Sequence, residues 1–443
     1  VTEEGAMPSL RLSVLLGSVL VAALVWRIAF VGGPAKADAK AAGLLPAKLE
    51  SLDALLRGAV ERQQIAGGVF VLARHGRIGH LQAIGWRDAE ARTAMTPDTL
   101  FRLASLTKPI TSVAVMMLVE DGKLRLNDPL SKYVPEFKEP KVTLGWLGGA
   151  WGLPFTQPAL REITIHDLLT HTSGLSYRFW ERWPLSFLYR DGGVSDGCVH
   201  PKGSSRDNVR RLAKQPLLFH PGFAWEYGLS TDVLGVVVEA VSGQDLSAFF
   251  RERIFEPLKM HDTFFVVPEA KKDRLAPLYQ RSVDGKLKRV GDEPRTRGEL
   301  VFSARPPCEM DGTYFSGGSG LISTASDYAR FLQMLLNGGE LDGARLLRTE
   351  TVQRMTSNQI GNRLNYVFEH GDGFGYGFGV RTKPSSVWDP ASTGTYSWSG
   401  LFNTYFWVDP KKELIGVFMT QMMIGDRALR SEFTRRAYEC LAD

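Results

Sequence analysis

The chain has 443 residues, of which 44% are hydrophobic and 23% charged. That balance fits a globular protein with a large buried core, and the length allows two or three domains. A formal net charge of +5, spread along the chain apart from short pairs such as Lys271-Lys272 and Arg435-Arg436, argues against a nucleic-acid-binding surface.

The N-terminus carries an apolar run over residues 12–26, which Arg27 interrupts and Ile28–Val31 extends. Its length suits a signal-peptide core, and Ala35-Lys36-Ala37 offers an A-x-A cleavage site. Residues 1–37 are therefore expected to be an export signal, or failing that an uncleaved membrane anchor. The first places the protein in the periplasm or outside the cell; the second ties it to a membrane. Cytoplasmic residence is the remaining alternative.

Leu49, Leu52, Leu55, Leu56 and Val60 make a stripe that predicts a helix over 47–64. Residues 67–73 and 78–86 read as strands joined by the turn Arg74-His75-Gly76-Arg77. A second helix is expected from Ser105, with Ile110, Val113, Met117 and Leu118 at helical spacing and Gly122 as its stop. Residues from about 123 to 300 read as helices and Pro/Gly loops, with long irregular segments at 145–155 and 179–203. Residues 373–381, 401–408 and 414–421 read as strands, and 427–442 as a closing helix. Early and late strands predict one antiparallel sheet made from both ends of the chain, with helices packed on it. There is no internal repeat and no low-complexity tract. Three cysteines, Cys198, Cys308 and Cys440, allow at most one bridge, in any of three pairings.

The chemistry concentrates at Ser105-Leu106-Thr107-Lys108. A serine hydroxyl needs a neighbouring base to become a nucleophile, and Ser and Lys at i and i+3 share one helix face. A serine that opens a helix also offers its N–H to an oxyanion. Two later stretches complete the pattern: P-G-F-A-W-E-Y-G-L-S-T-D around Tyr227, and T-Y-S-W-S-G-L-F-N around Trp398-Ser399-Gly400. In this order and wide spacing the three motifs resemble those of class C serine β-lactamases, penicillin-binding proteins and, most nearly, family VIII carboxylesterases. L-L-T-H-T-S-G-L at 168–175 and G-G-S-G-L-I-S-T-A-S-D-Y at 317–328 extend the likeness, which runs from about Glu50 to the C-terminus.

The resemblance implies an α/β β-lactamase-like fold over 38–443, with an α/β part of about 45–105 and 310–443 and a mostly helical part of about 106–309. It implies Ser105 as acylated nucleophile and Lys108 with Tyr227 as a joint acid/base pair. The N–H groups of Ser105 and Leu401 would form the oxyanion hole. Trp398, Ser399, Gly400 and Leu229 would border the substrate, with Gly400 on a flat strand where a small residue admits the acyl group. Two departures matter. Where β-lactamases have Y-x-N, this chain has Tyr227-Gly228-Leu229; where they have K-T-G, it has Trp398-Ser399-Gly400. An apolar, uncharged pocket suits a neutral ester. The expectation is a carboxylesterase for short-chain esters with weak β-lactam hydrolysis as a side activity. The rivals are a β-lactamase, a D-amino-acid peptidase, an amide hydrolase or an acyltransferase on the same machinery, and a non-catalytic binding protein on this fold.

No metal or cofactor is expected. His166 and His171 stand one residue too far apart for paired ligands on a helix, and no nearby Cys or Glu completes a set. Phe374-Gly375-Tyr376-Gly377-Phe378-Gly379 lacks the surroundings of a nucleotide loop and reads as a strand with small residues. No serine has Gly at both minus two and plus two, which excludes the nucleophile elbow of α/β-hydrolases. Trp146, Trp151, Phe155, Tyr177, Phe179, Trp180, Trp183, Phe187 and Tyr189 crowd the middle segment. They either line an acyl pocket or pack the helical part's core. The expected partner is a small-molecule ester, with membrane association through the N-terminal run if it stays uncleaved.

Overall fold

The computed structural model describes residues 38–146, 154–199, 203–309, 312–363, 373–384, 386, 389–425 and 427–442. The expected leader at 1–37 and Trp151 lie outside them.

The framework is an eight-stranded antiparallel sheet. Helix α1 (Pro46–Glu61) leads into β1 (Gly67–Arg74), β2 (Arg77–Asp88) and the short β3 (Thr93–Ala94). The rest of the sheet comes from the C-terminal region: β4 (Gly373–Phe374), β5 (Gly379–Val380), β6 (Tyr396–Ser399), β7 (Thr404–Asp409) and β8 (Leu414–Thr420). The strand order is β4-β5-β6-β7-β8-β1-β2-β3, so β1 pairs with β8 (Val71 opposite Val417) and joins the two ends of the chain. Period-two alternation then sorts the side chains. Phe70 and Leu72 of β1, Tyr405 and Trp407 of β7 and Phe418 of β8 point to one face. There they meet Leu52 and Leu56 of α1 and Phe433 of the closing helix Arg427–Glu439. Val69, Val71, Phe406, Val408 and Val417 point the other way, into the main core.

Three helices of that main core matter for function. They are α2 (Thr107–Glu120), α3 (Ser230–Ser242) and α4 (Ala325–Leu336). Helix α2 has no solvent face over most of its length, since Thr107 to Leu118 are all buried. A helix enclosed on every side encloses its polar side chains too, and Lys108 is 0% exposed. Tyr328 of α4 donates its hydroxyl to the carbonyl of Leu106 at 2.8 Å and so pins the start of α2.

Several local expectations need correction. Residues 373–381 do not form one strand. Gly377 adopts φ +89°, and the backbone turns there between β4 and β5. A Cβ at Gly377 would lie 2.4 Å from Ser112 Oγ of α2, so this glycine serves a close approach that ends the strand. The segment at 145–155 is not wholly irregular: Lys141–Trp146 pairs with Pro154–Pro158 as a hairpin. The segment at 179–203 contains a short helix, Leu185–Asp191. Strand β7 starts at Thr404 rather than Leu401, because Gly400–Asn403 form the β6–β7 turn, with Asn403 N–H donating to Gly400 O at 3.0 Å. Gly400 therefore sits at the end of β6 and not within a flat strand. Among the described residues from 123 to 302, small strand pairs accompany the helices, Lys141–Trp146 with Pro154–Pro158, Tyr279–Arg281 with Leu287–Arg289, and Arg295–Arg297 with Leu300–Phe302.

Candidate active site

Ser105 lies in a single 3-10 turn, Ala104–Leu106, that runs directly into α2. Ala104 has φ +48°, a left-handed conformation that costs an L-residue with a Cβ roughly 1–2 kcal/mol. The surroundings hold it there. Leu103 N–H donates to Leu321 O at 2.8 Å, and Leu103 O accepts from Thr404 Oγ1 at 2.9 Å. Ser105 is left partly exposed, at the edge of a cleft.

Lys108 stands one turn further along α2. Its Nζ lies 3.3 Å from Ser105 Oγ and donates to the carbonyl of Gly318 at 2.8 Å. The aromatic faces of Tyr227 and Tyr177 flank it, with ring centroids 4.8 and 5.4 Å from Nζ. The strip that supplies Gly318 runs along the helix. Thr111 Oγ1 donates to Gly317 O at 2.7 Å, and Leu321 N–H donates to Thr107 Oγ1 at 3.1 Å.

Tyr227 precedes α3 and is held on all sides. Its ring packs on His171, Tyr177 and Trp398 at centroid distances of 5.0, 5.3 and 5.3 Å. Trp180 Nε1 donates to its carbonyl at 2.8 Å. Gly228 N–H donates to His171 Nδ1 at 3.3 Å, which explains His171 as a structural residue. Burial and the nearby Lys108 push His171 well below the usual imidazole range, so it is neutral and can accept that bond. The Tyr227 hydroxyl is buried and has no hydrogen-bond partner among the described residues. A buried phenol without a partner is costly, and here it sits among the groups that surround Lys108.

Gly400 lets the β6–β7 turn reach the nucleophile. A Cβ there would stand 2.3 Å from Leu103 O and 2.2 Å from Thr404 Oγ1. This contact sets the turn against the segment entering Ser105, and both Leu401 and Ser105 line the cleft. The cleft holds about 360 Å³ and opens to solvent. Tyr177, Phe179, Trp180 and Trp398 form an aromatic wall, while Ser399 and Gly400 lie beside Ser105 and Leu401.

The structure thus brings together Ser105, Lys108, Tyr227, Trp398, Ser399, Gly400 and Leu401. It does not bring Leu229 with them. That side chain is fully buried in the core just before α3 and does not line the cleft. Nor is the cleft uncharged, because Arg297, Arg427, Arg430 and Asp196 also line it. They come from segments far from the three motifs, so motif reading could not place them. Of the crowded aromatics, Tyr177, Phe179 and Trp180 line the cleft, Tyr189 is buried in the core, and Phe155 and Trp183 are exposed. Cys198, beside the cleft, is a free thiol whose burial pushes it up to about 12, and Cys440 is also free.

Asp196 carries a testable consequence. Burial raises its carboxyl from 3.8 to about 7, although Arg178 N–H donates to Oδ1 at 2.9 Å. The folded state therefore keeps a proton that the unfolded chain loses at lower pH. Stability attached to this group is present at acid pH and declines as pH rises from about 4 to about 7. Asp196→Asn lacks that decline. Its unfolding free energy relative to the wild type should rise across this window and level off above it, measured by urea denaturation at several pH values. A constant difference would contradict the assignment.

Comparison with known proteins gives the same picture. Residues 52–439 match the β-lactamase family. Esterase EstB of Burkholderia gladioli is 36% identical over 363 residues, covering 81% of this chain and 86% of that one. Acyltransferase mokF of Monascus pilosus is 31% identical over 317 residues, 70% of each. The solved structure of EstCE1, described as a hydrolase with promiscuous acyltransferase activity, superposes with a TM-score of 0.75 at 27% identity, covering 89% of this chain and 98% of that one. On these grounds the chain belongs to the β-lactamase family and is a serine hydrolase of α/β fold.

Proposed function

We propose that the chain is a carboxylesterase that acts on short-chain esters through an acyl-enzyme on Ser105. The observation that carries this reading is the 3.3 Å approach of Lys108 Nζ to Ser105 Oγ at an aromatic-walled cleft. Ser105 Oγ attacks the ester carbonyl, and its proton passes to the Lys108/Tyr227 pair. The oxyanion rests on the N–H groups of Ser105 and Leu401. The carbonyl–alkoxy bond breaks, and the alcohol leaves with the proton returned by the same pair. Water then attacks the acyl-enzyme and releases the acid. The chemistry needs no cofactor. The likeness to EstB supports hydrolysis of esters.

A second reading has its own support. The likeness to mokF and EstCE1 favours transfer of the acyl group to an acceptor alcohol instead of water. The arginines of the cleft would pair with a substrate carboxylate, which supports slow β-lactam hydrolysis as a side activity.

With p-nitrophenyl butyrate as substrate, Ser105→Ala should lower turnover by about three orders of magnitude or more, with little nitrocefin cleavage by either protein. Turnover that survives in the variant would contradict the nucleophile. Added methanol that yields methyl butyrate faster than butyrate would favour the transferase reading. Trp180→Ala should shift the chain-length preference among p-nitrophenyl esters, whereas the exposed Trp183→Ala should leave it in place. Equal profiles for both variants and the wild type would remove Trp180 from the acyl pocket.

A further inference from the structure

Asp232 stands on the first turn of α3 and has no task in the mechanism above. It is 5% exposed. Ser316 Oγ donates to its Oδ1 at 2.5 Å, and Gly318 N–H donates to the same oxygen at 3.3 Å. Its Oδ2 is buried with no hydrogen-bond partner among the described residues. The carbonyl of that same Gly318 accepts from Lys108 Nζ at 2.8 Å. One residue therefore faces the carboxyl with its N–H and the amine with its C=O.

The approach is built for closeness. A Cβ on Gly318 would lie 2.2 Å from Asp232 Oδ2, and one on Gly317 would lie 2.6 Å from Thr231 O. Only glycines let the turn rest on α3 in this way. Ser319 extends the contact to the cleft, with its Oγ 3.0 Å from Ser316 Oγ. A buried carboxyl with one orphan oxygen is expensive to keep. An Asn oxygen could accept the same two bonds, so holding the turn does not by itself require a charge.

We propose that Asp232 is a positioning residue for the nucleophile: through Gly318 it holds Lys108 beside Ser105, and its charge sets the pH at which the Ser105–Lys108 pair becomes reactive. This rests on the reading of Ser105 as nucleophile. The titratable groups that surround Asp232 are Lys108 from α2, Tyr177, Asp196 and Cys198 from the cleft wall, and Tyr314 from the segment before the turn. Burial pushes the Asp232 carboxyl up, while Lys108 and the bonds from Ser316 and Gly318 pull it down. Where it is ionised, its negative charge holds a proton on the neighbouring pair. Removing the charge frees that proton at lower pH.

The test is the pH dependence of fluorophosphonate labelling on the full chain, which reads nucleophile activation without choosing between water and another acceptor. Ser105→Ala serves as the blank. In Asp232→Asn the midpoint of the labelling profile should move toward acid by about half a pH unit or more. Ser316→Ala, which removes one bond to the carboxylate and so favours its neutral form, should move it the same way by less. An unmoved midpoint in folded Asp232→Asn overturns the proposal, even with a lower rate, because a merely structural residue would change rate alone. Should that variant fail to fold, the Ser316→Ala midpoint decides on the same terms. Labelling that persists in Ser105→Ala would instead overturn the Ser105 reading, and this proposal with it.

Discussion

A lysine amine sealed inside the protein is the constraint around which the rest of the site is arranged. Lys108 is fully buried, and a buried amine needs polar partners in fixed places. The structure supplies them from two directions: Ser105 Oγ from the preceding turn, and the Gly318 carbonyl from a strip laid along α2. Each partner calls for support of its own. The strip stays on α2 through Thr107 and Thr111, and it fits against α3 on its other side only because Gly317 and Gly318 have no side chains. Ser105 is presented by a residue in left-handed conformation, and two bonds of Leu103 hold that turn, its N–H donating to Leu321 O and its carbonyl accepting from Thr404 Oγ1. Sheet, helix and turn thus converge on one nitrogen.

The cleft combines two kinds of lining. Aromatic rings surround the Lys108 end and give it an apolar lining that would favour an uncharged acyl group. Arg297, Arg427 and Arg430 also border the cleft, outside the three motifs.

The parts legible in the sequence are those whose signal is local. Ser105 and Lys108 are one helical turn apart, so spacing alone brings them to one face, and the buried stripe of α2 shows in its apolar residues. The strands of residues 67–88 and 414–420 show in their composition, and the sheet built from both ends of the chain followed from them, whereas the fold class came from the family motifs. Legibility ended where long-range packing decides. Leu229 occupies the position of a polar family residue, yet an apolar side chain before α3 turns to the core. The run at 373–381 has strand composition, but α2 passes so close at Gly377 that the backbone turns. Asp232 and Gly318 fall inside quoted motifs, but their pairing did not show, because it is a contact across more than eighty residues of chain; Asp196 gave no signal, because its meaning lies in burial. Tyr227 is intermediate: its flanking motif marked it, and packing against His171, Tyr177 and Trp398 explains its place.

The central claim is that Ser105, activated beside Lys108, carries the acyl group. The most direct measurement is mass spectrometry of peptides from the protein quenched in acid during turnover of p-nitrophenyl butyrate. The account predicts a butyryl group on the peptide that contains Ser105, localised to that residue and absent in Ser105→Ala. A butyryl group on another residue, or turnover with no acylated peptide at any quench time, would contradict it.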